Sequence, residues 1–313
     1  MMKTLRKTYI FLFLATLMAC TEYHDFERRL SVADTLMNEQ PDSAYRMLCA
    51  MNEEANHLPE ALRMRHLLLR SNAQNKADVL FTSDSIGNVL VEYYNQYGTP
   101  NERMLAHYMK GCAYRDMGDQ PAALRCYNDA VAAADTSRAD CNYDQLSIIY
   151  GQIATIFDHR AMPDNSLQAY EMAERYAWKA KDTINVLTIW GNKSNALINQ
   201  GEIKEGLRTK EAAAEGFRTM GYPQYAAQVM GLCIKWYARQ GDSTRPRPPW
   251  MTTKPCPDIF WITETLNPAE KTITISRAPI TLKKDNWIPQ NSSSKNYRQK
   301  ERPQMTVTLP LGD

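Results

Sequence analysis

The chain has 313 residues, 37 basic and 35 acidic side chains, a formal net charge of +2 and 44% hydrophobic residues. That length allows one large domain or two small ones around a buried core. The charge is uneven: residues 1–19 carry +3, and residues 243–313 hold 11 basic against 6 acidic residues, leaving a middle of net −6 that lacks the basic bias of a nucleic-acid binder.

At the N-terminus, Lys3, Arg6 and Lys7 precede an apolar run from Tyr9 to Ala19, followed at once by Cys20. A short basic segment and an apolar run too short to span a bilayer are the parts of an export signal. The junction Leu17-Met18-Ala19-Cys20 resembles the bacterial lipobox. That resemblance implies removal of residues 1–19 as a lipoprotein signal peptide and lipidation at Cys20, which would face the cell envelope, periplasm or cell exterior. Several acyl chains anchor stably because each buried CH₂ adds about 0.8 kcal/mol.

Residues 20–100 read as N-terminal helical hairpins. Asp42-Ser43-Ala44 after Pro41 is a helix start, with Met47, Leu48 and Met51 on its apolar face. Leu58–Asn75 and Ser83–Tyr97 show apolar residues at i, i+3, i+4 spacing. Strand-like alternation is missing from 20–242, so the body is expected to be all-α.

From 101 to 242 the sequence repeats. Met104–Ser137 has Gly111, Tyr114, Gly118, Ala123, Tyr127 and Ala130 at positions 8, 11, 15, 20, 24 and 27 of a 34-residue frame. A second copy has Ala154, Phe157, Tyr170 and Ala173, with Ala161 at the glycine position. A third has Trp190, Ser194, Leu197, Gly201 and Ala213, with Gly206 and Lys210 weakening its second helix. A fourth begins with Ile234, Tyr237 and Gly241 and then loses the pattern. Position 8 recurs at 111, 154, 194 and 234, a period near forty.

These positions resemble the tetratricopeptide repeat (TPR), in which small residues let two helices approach and aromatics fill the space between hairpins. Together with the lipobox, Pro41-Asp42-Ser43-Ala44 and Ser83-Asp84-Ser85 ahead of Tyr93-Tyr94, they resemble a group of Bacteroidetes TPR lipoproteins. The resemblance implies a TPR-like helical-hairpin solenoid, a right-handed superhelix of about 3.5 repeats. Many members continue into a transmembrane helix and a cytoplasmic helix-turn-helix, as sensor-regulators do, and this chain shows neither part.

By register, the concave groove that receives a protein or peptide in such solenoids includes Tyr108, Arg115, Asp116, Asp158, His159, Asn195, Asn199, Lys235 and Arg239. A mixed polar lining suits hydrogen bonds to peptide backbone and charged side chains.

Residues 243–313 hold ten of the sixteen prolines and one of the thirteen glycines. Such a stretch cannot continue a solenoid and reads as a disordered or frameshift-derived tail. Read two bases out of phase, it permits a continuation with the repeat pattern.

No catalytic constellation is present. The five histidines lie far apart, and no HExxH, P-loop, G-x-S-x-G or dinucleotide fingerprint occurs. The seven cysteines form no CxxC, and most lie on apolar helix faces. The expectation is a membrane-anchored TPR scaffold, a truncated relative of periplasmic TPR sensor-regulators and not an enzyme, without cofactor or metal, whose partner is a protein or peptide and not nucleic acid. The alternative is an outer-membrane assembly or nutrient-uptake accessory lipoprotein.

Overall fold

The computed structural model describes residues 23–230, and every regular element among them is a helix. A first helix, α1, spans 23–36. It is followed by α2 (Pro41–Ala50), the single turn α3 (Asn52–Ala55), α4 (Glu60–Lys76), α5 (Ser85–Tyr97) and α6 (Pro100–Asp116). Then come α7 (Gln120–Ala133), α8 (Tyr143–His159), α9 (Pro163–Ala180), α10 (Thr183–Gln200) and α11 (Ile203–Thr219). A twelfth helix, α12, starts at 223 and is described to 230. Cys20, Lys235, Arg239 and the whole of 243–313 lie outside the described residues.

The chain forms two units, whose described parts are 23–209 and 210–230. In the first, Phe26, Leu30, Ala44, Leu48, Leu69 and Ala73 make a small core joining α1, α2 and α4. A larger continuous core runs from Met64 to Ala196 through α4–α10. In the second, Phe217 and Tyr225 stack with centroids 5.5 Å apart, and Ala213, Ala226 and Met230 are buried.

The same turn closes three successive hairpins. Gly118, Ala161 and Gly201 all have positive φ, at 84°, 52° and 101°. In each, two backbone N–H groups turn back onto the helix just ended: Gly118 to Arg115 O and Asp119 to Tyr114 O, Ala161 to Asp158 O and Met162 to Phe157 O, Gly201 to Ile198 O and Glu202 to Leu197 O. This left-handed cap satisfies carbonyls that a helix end otherwise orphans. Helix starts are equally local. Asp119, Asn142 and Asp182 cap α7, α8 and α10 by accepting from Ala122, Gln145 and Asn185 N–H, and Thr99 with Glu102 forms a capping box on α6.

Packing explains the small residues. A Cβ on Gly111 would lie 2.4 Å from Tyr127 Cε1, so α6 and α7 reach this separation only with glycine there. Position 20 is occupied by Ala123, Ser166 and Gly206, all buried. A Cβ on Gly206 would meet Ser194 O at 2.8 Å and Ile198 Cγ1 at 2.7 Å. Gly206, expected from sequence to weaken the third repeat, is instead a contact point in a helix that forms from Ile203 to Thr219.

Candidate partner-binding face

The register residues do not form one uniform ligand surface. Tyr108 is buried at 3% exposure, its ring 5.7 Å from that of Tyr127. Burial pushes both phenols well above their usual range. Arg115, with a quarter of its side chain exposed, pairs with Asp116 at 2.8 Å and donates to Asn75 Oδ1 at 3.0 Å. Asp116 accepts the Phe81 backbone N–H at 3.0 Å. Asp158 accepts from Tyr170 Oη at 2.7 Å and from the Ser166 hydroxyl. Burial, then the Asp158 carboxylate, drives the Tyr170 phenol far above its normal range. His159 is exposed and meets Gln120 at 3.3 Å; Asn195 is half-buried and engaged, and Asn199 is exposed.

Several of these contacts recur with the repeat period. Lys76 reaches Asn38, Arg115 reaches Asn75, Gln120 meets His159 and Gln200 donates to Asp164, spanning 38, 40, 39 and 36 residues. At the opposite ends of the helices Asn101 bonds Asp140 O and Asn142 N, and Asn185 donates to Ser147 Oγ, spanning 39, 41 and 38 residues. Each hairpin is thus tied to the next by polar side chains at its rims, and Arg115 and His159 are among the ties. Asp158 instead joins α8 to α9 within one hairpin. Asn75, Asn101, Gln120 and Gln200 were not singled out from sequence. Their signal was a polar partner about forty residues away, visible only once the period is known.

Between the rims, the inner register of the first helices changes character. Position 5 is Tyr108 in α6, but Gly151 in α8 and Gly191 in α10, forty residues apart. Position 9 is Thr155 and Asn195, and position 2 is Ile148 and Thr188, all half-buried. Thr155 and Thr188 donate to Gly151 O and Ile184 O of their own helices. Thr155 also lies beside the Tyr170 hydroxyl of its own hairpin, whereas the Thr188 hydroxyl keeps acceptor capacity for an incoming N–H. Among the described residues no group of His, Cys, Asp and Glu is arranged to hold a metal, and no helix is long and apolar enough to cross a membrane.

No family model matches the sequence, and no curated protein matches it. Among solved structures the chain is similar to a Rap protein complexed with Competence and Sporulation Factor. That match has a TM-score of 0.50 at 13% identity and covers 68% of this chain and 60% of that one. It is also similar to BtubC (BKLC) from P. vanneervenii, with a TM-score of 0.44 at 12% identity, covering 71% of this chain and 94% of that one. The chain therefore spans about 60% of the length of the Rap structure it matches. The helices described above and the likeness to the Rap protein define the class as an all-α, TPR-like helical-hairpin repeat protein.

Proposed function

We propose that this chain is an exported, lipid-anchored scaffold that holds an extended segment of another protein, or a peptide, against the inner face of α8 and α10, and that it catalyses no reaction. The observation that carries the reading is a set of half-buried side chains at matching register positions of consecutive repeats, Ile148 and Thr155 in α8 and Thr188 and Asn195 in α10. Gly151 and Gly191 between them are buried, so these flanking side chains are what the face presents. Their hydroxyls and amide suit hydrogen bonds to a polypeptide backbone. Asn199, exposed at the end of α10, extends this lining. Anchoring rests on the lipobox ending at Cys20 and is a separate part of the proposal.

A random-peptide display library panned against the purified chain tests the binding role. Converging sequences whose affinity falls at least tenfold in Thr188→Arg and Asn199→Arg variants that melt like the parent would support it. No enrichment, or binding indifferent to both variants, would contradict it. Labelling with a radioactive fatty acid in an exporting bacterium tests the anchor: label is expected on the parent chain and absent from Cys20→Ser.

A further inference from the structure

The turn between α6 and α7 identifies what ought to follow Gly241. In the first repeat, Tyr114 is followed four residues later by Gly118 at φ +84°, and Asp119 then caps α7 by accepting from Ala122 N–H at 2.9 Å. Ala123, the fourth residue after that aspartate, is fully buried, and Tyr127 one turn later packs on Gly111. The fourth repeat carries the same signal, with Tyr237, Gly241 and Asp242 at identical spacing. A helix should start at the next residue. Instead the chain reads Ser243-Thr244-Arg245-Pro246-Arg247-Pro248-Pro249. Interior prolines remove hydrogen bonds and clash with the preceding turn, at about 3 kcal/mol each, so these residues contradict the helix start immediately before them.

The contradiction disappears one base back. In that frame each codon takes its first base from the third position of one present codon and its last two from the next codon. Proline codons begin CC and arginine codons can begin CG. After a third-position G both read as alanine, so the frame permits four alanines at Pro246-Arg247-Pro248-Pro249. The frame thus permits Leu-Asp-Lys-Ala-Ala-Ala-Ala-Met-Asp-Asp after Asp242, whose first alanine would stand four residues after the aspartate, as Ala123 does.

Some letters of the shifted reading leave no freedom. Trp and Met have single codons, so Trp250-Met251-Thr252 must give Asp-Asp and Phe260-Trp261-Ile262 must give Leu-Asp. Asp285-Asn286-Trp287-Ile288 must give Gln-Leu-Asp if the frame stays open. Around it the frame permits Gly-Gln-Leu-Asp-Ser-Ala, again a position-15 glycine five residues before a position-20 alanine. That glycine falls 44 residues after Gly241, close to the period of 43, 40 and 40 seen upstream.

We infer that residues 243–313 are an out-of-frame translation, and that the gene's own frame after Asp242 continues the helical-hairpin array with at least one further repeat. The binding face of the in-frame protein is accordingly longer than that of the chain as written.

The nucleotide sequence of the locus decides this directly. The expected result is an open shifted frame with G at the third positions of the Arg245, Pro246, Arg247 and Pro248 codons. A stop codon in that frame before the Asp313 codon, or third bases that do not encode the alanine run, would overturn it. A protein-level readout is independent of any ligand. The chain with its frame restored after Asp242 should gain helical circular dichroism and resist thermolysin beyond residue 242. Equal resistance of 243–313 in the chain as written would count against the inference.

Discussion

Hairpins α6/α7 and α8/α9 share one pattern of key positions and solve the same packing problem differently. In α6/α7, Gly111 lets the Tyr127 ring lie against the α6 backbone, and the Tyr127 hydroxyl ends 3.9 Å from Cys112 Sγ. In α8/α9 the equivalent small residue is Ala154, and Tyr170 sends its hydroxyl to Asp158 instead. The turn differs too: Gly118 closes the first hairpin and Ala161, at φ 52°, closes the second. The first hairpin is therefore held mainly by close backbone approach, the second by a partly buried hydrogen-bond set. That contrast shows why a register alone misassigns roles. Position 12 is a groove position by register, yet in α8 its carboxylate serves the tyrosine of its own hairpin.

The contrast can be broken first at Gly111. A Cβ there would penetrate the Tyr127 ring, so Gly111→Ala should destabilise by about 3 kcal/mol, read from urea unfolding. Ala154→Gly in the other hairpin should cost about 2 kcal/mol, the helix-propensity loss plus that of one fully buried methyl. A Gly111→Ala variant of parental stability would remove the close-approach explanation.

Next in size is Asp158→Ala, which leaves the Tyr170 and Ser166 hydroxyls without their acceptor. The expected loss is about 2 kcal/mol, with Tyr170→Phe in the same background restoring part of it. An additive double variant would show that the two groups do not act as a pair.

Smaller effects belong to the turns. Relieving left-handed strain in Ala161→Gly should stabilise by up to about 1 kcal/mol, while Gly118→Ala should destabilise by a similar amount. Opposite signs in matched thermal melts are the outcome to look for.

The last prediction concerns acid. His66 is buried at 3% exposure, with Nε2 donating to Leu48 O at 2.7 Å. Burial holds its pKa below 6.5, partly opposed by that hydrogen bond. Since the unfolded chain protonates first, the associated stability is present above about pH 6.5 and is lost as pH falls toward the lowered folded value. His66→Phe should therefore flatten the acid side of the stability profile. An unchanged slope would assign acid sensitivity elsewhere, His107 being the other histidine with a lowered pKa.

Much of this architecture was legible before any coordinates. Gly111, Tyr127 and Gly118 are recognisable because backbone approach and positive φ admit few residue types, and such constraints leave a strong trace. Ala161 broke the glycine pattern yet keeps the turn, because the surrounding packing and hydrogen bonds offset a modest local cost. Gly206 looked like a weakness because helix propensity was visible and its contact with Ser194 was not. The polar side chains were least legible. Arg115, Asp116, Asp158 and His159 have the composition of a ligand groove, but a hydrogen bond to a neighbouring repeat uses the same chemistry as one to a peptide. Only geometry separates the two, and it puts Arg115 and His159 into ties between repeats and Asp158 into its own hairpin.

The division between rims that tie hairpins together and the face proposed to take a polypeptide is tested most directly by measuring two variants against one display-selected peptide. Thr188→Arg should weaken its binding at least tenfold without lowering Tm, whereas Gln120→Ala, which loses a rim tie, should leave the Kd within about twofold. The tenfold change corresponds to about 1.4 kcal/mol. Unaltered binding by Thr188→Arg, or a loss confined to Gln120→Ala, would contradict the account.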